Sequence, residues 1–178
     1  PKPGLALTPA PSPTQRHTPI GGEPAGSKML VTLGELEGGH PVKPISGIQN
    51  APLAYGNVST IMFLDPEVAG IGANEQELGK NNIPYRLAKI DYACLARAIA
   101  MRKTKGFFKV LVTDDDDMKV LGMRAVGEHA RSAIQAVALM MQTGLGIGEL
   151  AVLIQPQPSI TEGVQECGRM LPGKGVFK

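Results

Sequence analysis

Gln155-Pro156-Gln157-Pro158-Ser159-Ile160-Thr161-Glu162 gathers two carboxamides, two hydroxyls and one carboxylate within eight consecutive positions. Each proline fixes its own φ and pushes the glutamine before it out of the α region, so the stretch is a stiff, extended lead-in. A helix should open directly after it. Ser159 is the expected N-cap, with Glu162 three residues on completing a capping box and favouring the helix dipole. A carboxamide donates and accepts hydrogen bonds but does not change protonation near neutral pH, as an imidazole does. Gln155 and Gln157 can therefore orient a partner, but neither can act as a general acid or base.

Other reactive residue types are scattered. Cys94 and Cys167 form no CxxC pair, and both are expected to be small core hydrophobes. Asp114 to Asp117 lacks the spaced oxygen ligands and closing glutamate of a calcium loop and reads as a solvated hairpin tip. Gly70-Ile71-Gly72 is a faint echo of a dinucleotide turn, with Glu75 standing where the third glycine belongs. Arg97, Arg102, Lys103 and Lys105 suggest a solvated basic loop, and His129 a surface histidine near a helix start. No metal-ligand cluster is visible, and no metal is expected.

The elements that must position these residues begin at Val58. Val58 to Leu64 is β-branched and apolar, and Asp65-Pro66 should stop it. Asn74 with Glu77 predicts a capped short helix, Tyr85 to Tyr92 a strand, and Leu95 to Met101 another short helix. Phe107 to Thr113 and Lys119 to Val126 read as a hairpin. Phe108, Val110 and Val112 share one face of the first strand, and Leu121, Met123 and Ala125 share one face of the second. Ala130, Ala133, Ile134, Val137, Ala138 and Met141 recur at helical spacing, with Gly144 as the stop. Ile147, Leu150, Ala151 and Ile154 predict a second helix, and Ile160, Val164, Cys167 and Leu171 a third. Gly144, Gly146 and Gly148 read as the joint between two helices. The order implies an α+β fold, an antiparallel sheet with helices packed on one face.

Residues 1–57 differ in texture. They hold ten of the fifteen prolines and nine of the twenty-two glycines, a density that argues for a tail or linker. Pro9, Pro11 and Pro13 alternate with small residues, and only Leu30 to Leu36 has the pattern of a strand or short helix. The expected organisation is a poorly ordered tail over 1–57, a domain over 58–171 and a short tail over 172–178. A net charge of +2 is too small to imply nucleic acid or a membrane surface as a partner. Neither a transmembrane run nor a signal peptide is seen, so a cytoplasmic location is the expectation.

The Gln155–Glu162 stretch resembles the His-x-His-Pro…Glu signature of the C-terminal interface domain of class I pyridine nucleotide-disulfide oxidoreductases. That family includes glutathione reductase, dihydrolipoamide dehydrogenase and mercuric reductase. Further segments resemble the same domain in the same order. Leu64-Asp65-Pro66-Glu67-Val68-Ala69-Gly70-Ile71-Gly72 looks like T-x-P-E-x-A-x-V-G, with leucine in place of threonine. Arg97-Ala98 followed by Thr104-Lys105-Gly106-Phe107-Phe108-Lys109-Val110 resembles R-A…T-x-G-F-x-K-L, and Val120-Leu121-Gly122 through Gly127-Glu128-His129-Ala130 resembles I-L-G-x…G-x-x-A.

The resemblance implies a two-fold dimer in which this motif reaches the partner's flavin and redox disulfide. Gln157 occupies the position of the family's acid/base histidine, Gln155 that of the earlier histidine, and Glu162 that of the orienting carboxylate. Only Pro158 and Glu162 match directly, and with Gln157 the resemblance places Pro158 beside the partner's FAD. The mercuric reductase branch carries tyrosine at the base position, and glutamine is not its chemical equivalent. The flavin-binding turn, nicotinamide domain and CxxxxC pair lie upstream in this family and do not occur in these 178 residues. The expectation is therefore an interface domain that binds no cofactor alone and is catalytically inert alone. It would pair with itself or with a full-length reductase subunit, FAD belonging to the parent enzyme.

Overall fold

The computed structural model describes residues 30–45, 55–173 and 175, in two units divided between Tyr55 and Gly56. In the first unit, Val31–Ile45 forms α1, which resolves the choice at Leu30 to Leu36 in favour of a helix and extends it. Glu37 is buried and accepts the Tyr55 hydroxyl at 3.1 Å. Pro9, Pro11 and Pro13, with most of the expected tail, lie outside the described residues.

The second unit runs β1 (Thr60–Met62), β2 (Val68–Gly72), α2 (Glu75–Lys80), β3 (Tyr85–Asp91), a 3-10 turn (Tyr92–Cys94), α3 (Ala96–Ala100), β4 (Phe107–Thr113), β5 (Val120–Val126), α4 (Ala130–Thr143), α5 (Ile147–Val152) and α6 (Glu162–Met170). The five strands form one antiparallel sheet in the order β1-β2-β5-β4-β3. The α+β fold with an antiparallel sheet is as expected. The strand expected over Val58 to Leu64 is shorter, only Thr60–Met62, and it is exposed along its length. Gly70 to Gly72 lies within β2 rather than in a turn, so the echo of a dinucleotide loop has no structural counterpart.

Period-two alternation decides the core face. Val110 pairs with Met123 and Phe108 with Ala125, and all four are fully buried. A register shift between Leu111 and Val112 then places Val120 opposite Val112. Val120 therefore joins the core where Leu121 was expected, because one extra residue in a strand swaps the faces beyond it. Ala69 and Ile71 of β2 and Ala88 and Ile90 of β3 complete the buried face. Across it lie α4, against β5 and β2, and α6, against β3 and β4, with α5 packed on α6. Burying each large apolar side chain here contributes roughly 1.5–3 kcal/mol.

Local signals set the helix ends. Asn74 Oδ1 accepts the Glu77 N–H at 2.8 Å, the predicted cap of α2. Gly144 ends α4 at φ 69°, a conformation that glycine adopts without steric cost. On the opposite face of the sheet, Lys109 pairs with Glu75 of α2. Beside it Arg124 crosses Gly70 to donate to the carbonyls of Ile71 at 2.7 Å and Gly72 at 3.0 Å. A Cβ at Gly70 would lie 3.1 Å from Arg124 Cδ, so the glycine leaves the guanidinium its path. None of the helices among the described residues is long and apolar enough to cross a membrane.

Candidate functional site

The predicted site lies on the loop that joins α5 to α6. The helix expected to include Ile154 stops at Val152, and Leu153 turns to an extended conformation (ψ 139°). Pro156 has no N–H to carry the helix on and biases Gln155 away from it, which leaves Ile154 96% exposed instead of buried. The Gln157–Pro158 peptide bond is cis.

The capping box is half made. Glu162 Oε2 accepts the Ser159 N–H at 2.7 Å, as the motif predicts. Ser159 Oγ, however, bonds Thr161 Oγ1 at 3.0 Å, and the helix begins at Glu162 with Thr161 as its N-cap. The serine hydroxyl is diverted by a nearer hydroxyl, so the expected N-cap moves by two residues. Thr161 Oγ1 also donates to Gln155 Oε1 at 3.3 Å, tying the first glutamine of the motif to the helix start.

Gln157 and Glu162 meet at one cavity of about 220 Å³, whose lining includes Cys94, Gln165 and Arg169. Gln157 is exposed where it lines the cavity, Pro158 after it is exposed too, and Glu162 is half-buried. Glu166, 5% exposed, faces Arg169 at 3.7 Å. The cavity thus offers two carboxylates, one guanidinium, two carboxamides and a thiol. Its chemistry is hydrogen bonding and charge complementarity. Neither carboxamide can carry a proton.

Cys94 corrects the sequence reading: it is exposed at the end of the 3-10 turn and lines this cavity. Nothing in its sequence neighbourhood reveals this, because the cavity wall from Cys94 to Ala96 meets Gln157 only through the tertiary fold. Cys167 is the core residue expected, fully buried, with its thiol pushed up to about 12 mainly by burial.

The remaining candidates stay apart from the cavity. Asp114 to Asp117 is an exposed hairpin tip. Within it Asp115 Oδ1 accepts from Thr113 Oγ1 at 2.6 Å and from the Met118 N–H at 3.0 Å. The Thr113 bond leads in holding the Asp115 carboxyl below its usual range. Among the described residues no three His, Cys, Asp or Glu side chains are grouped to hold a metal. Arg97, Arg102, Lys103 and Lys105 are exposed, with Lys103 3.7 Å from Glu128. His129 is exposed in a left-handed conformation before α4.

Residues 58–167 match the model of the pyridine nucleotide-disulphide oxidoreductase dimerisation domain. Dihydrolipoyl dehydrogenase 3 of Haloarcula marismortui is 24% identical over 157 residues, covering 88% of this chain and 32% of that protein. The mitochondrial dihydrolipoyl dehydrogenase of Dictyostelium discoideum is 31% identical over 147 residues, covering 82% and 29%. The chain spans about a third or less of the curated relatives it matches. The crystal structure of LpdA from Mycobacterium tuberculosis shares the fold with a TM-score of 0.78 at 22% identity, covering 84% of this chain and 32% of that one. The HOCl-induced flavoprotein disulfide reductase RclA from Escherichia coli also scores 0.78, at 19% identity, with coverage of 85% and 35%.

Proposed function

This chain belongs to the pyridine nucleotide-disulphide oxidoreductases through their dimerisation domain, and from that premise we propose that residues 58–171 form a pairing module that is inert on its own. The observation that carries the reading is the exposed apolar run Val152, Leu153 and Ile154, at 78%, 52% and 96%, directly ahead of the exposed Gln157 and Pro158. Three consecutive exposed aliphatic residues beside a stiff polar loop suit a surface that is covered by a second subunit. The proposed partner is a second copy of this chain, and an intact reductase subunit is the alternative.

In such a pair, Gln157 stands where the family's acid/base would reach the opposite subunit. Removing a general acid or base typically costs about 10²–10⁴-fold in the step it serves. Gln157 would retain a hydrogen-bonding role there, with Pro158 beside it and Glu162 holding the start of α6. The proposed role is therefore assembly, with FAD supplied by the parent enzyme's other domains and none held by these 178 residues.

Sedimentation equilibrium and a visible spectrum test this. The expected result is a colourless dimer without NAD(P)H oxidation. Ile154→Ser should weaken pairing by about tenfold while leaving the melting temperature of the subunit unchanged. A monomer at all concentrations overturns self-pairing, and addition of a full-length reductase then asks for the alternative. A yellow preparation that turns over NAD(P)H overturns the inert reading.

A further inference from the structure

Gln165 is only 4% exposed, although it is a carboxamide on a short amphipathic helix. A buried amide needs partners, since leaving it unsatisfied costs about 1–3 kcal/mol. Its Nε2 lies 3.3 Å from the carbonyl oxygens of Leu150 and of Ala151 and also donates to the carbonyl of Leu153. Three carbonyl acceptors around one atom identify the amide nitrogen, because the carboxamide oxygen would be repelled there.

Those carbonyls belong to the end of α5. The last four carbonyls of a helix have no partner within it, and α5 has only six residues. The chain cannot supply further partners by continuing the helix, because Pro156 has no N–H to donate and biases Gln155 out of the α region. Arg169 Nε adds a bond to the Ala151 carbonyl at 3.1 Å. The Leu153 N–H reaches the Leu150 carbonyl at 3.3 Å, and the two side chains that close the rest of the α5 end both come from α6.

The other end of the loop is tied to the same helix. Glu162, three residues before Gln165 and so its neighbour on the helix surface, holds the Ser159 N–H at 2.7 Å. The loop between α5 and α6 is thus strapped at its start by Gln165 and at its finish by Glu162.

We propose that Gln165 is the positioning residue of this loop, setting the direction in which Leu153 to Pro158 leaves α5 and so presenting Ile154, Gln157 and Pro158 to the paired subunit. The last step rests on the pairing reading above, whereas the strap itself does not.

Residue-resolved hydrogen–deuterium exchange on the full 178-residue chain separates the two. In Gln165→Met, which keeps length and removes the donors, the Leu153 amide should exchange about tenfold faster, with the Ser159 amide, held by Glu162, changed much less and the Val110 and Met123 amides of the sheet unchanged. The dimer dissociation constant should rise in parallel. Gln165→Lys, which restores donors without the carboxamide, should recover most of the protection. Unchanged loop exchange in Gln165→Met, or equal acceleration in loop and sheet, overturns the strap. A loosened loop that still pairs with wild-type affinity overturns the presenting role. If the wild-type chain is monomeric the pairing reading fails, and the exchange comparison still decides whether Gln165 holds the loop. Should Gln165→Met not fold, Gln165→Asn, too short to reach the three carbonyls, gives the same comparison.

Discussion

The sheet under α4 and α6 and the loop between α5 and α6 lie side by side but are held by different forces. Phe108, Val110, Met123 and Ala125 are fully buried, and above the backbone ladder that pairs β4 with β5 their side chains meet through shape. The loop exposes its aliphatic residues and is held by a few directional bonds: Ser159 to Glu162, Thr161 to Gln155, and Gln165 to three carbonyls. Burial is cooperative and tolerant of small changes in orientation. Hydrogen bonds contribute only about 0.5–1.5 kcal/mol each but specify direction. A module whose work is to present a surface needs both, a rigid platform and an aimed edge.

The difference is broken most severely from the platform side. Phe108 is fully buried, its ring lies 5.0 Å from that of Tyr92 at a tilt of 43°, and its backbone carbonyl accepts the Cys167 thiol at 3.9 Å. Phe108→Ala should destabilise the domain by about 4 kcal/mol through lost transfer energy and a cavity. That is a large part of a typical stability of about 5–15 kcal/mol. Urea unfolding measures the loss, and alkylation of Cys167 should accelerate with it while the already exposed Cys94 reacts as before.

Gly163 sharpens the comparison because it joins the two regions. It follows Glu162 at the start of α6, and a Cβ there would meet Phe108 Cδ2 at 2.5 Å and Leu95 Cδ1 at 2.9 Å. Overpacking costs about 1–3 kcal/mol, and alanine's better helix propensity returns up to about 1. Gly163→Ala should therefore cost roughly 1–2 kcal/mol in thermal or urea unfolding. It should also shift Glu162 and raise exchange at Ser159, carrying core strain into the loop. Destabilisation without any change at Ser159 would show the two regions to be uncoupled.

The platform was more legible from sequence than the edge. The alternation of Phe108, Val110 and Val112 and the stop at Gly144 are local and strong, and both appear in the fold. The exchange of Val120 for Leu121 was not legible, because both are apolar and the bulge depends on how the hairpin closes. Ile154 was misplaced for a related reason: helical periodicity continued through it, while Pro156 and the Gln165 contacts end α5 earlier. The pairing of Gln157 with Glu162 at one cavity follows from their spacing. The wall supplied by Cys94 does not, since it comes from a turn more than sixty residues earlier.

The smallest change tests whether the edge is aimed by charge or by geometry. Glu162→Gln preserves shape and leaves an oxygen able to accept the Ser159 N–H, but removes the carboxylate charge from the first turn of α6. Charge-assisted bonds are roughly twice as strong as neutral ones, and a charge at a helix N-terminus adds about 0.3–1 kcal/mol. Glu162 is half-buried, so solvent screening reduces both contributions. The expected cost is below about 1 kcal/mol in unfolding, with a modest rise in Ser159 exchange and none in the sheet. Glu162→Ala removes the acceptor as well and should release Ser159 further, with the Leu153 amide still protected by the Gln165 strap. If Glu162→Ala loosened Leu153 as much as Ser159, the two straps would be a single cooperative unit rather than separate anchors on one helix.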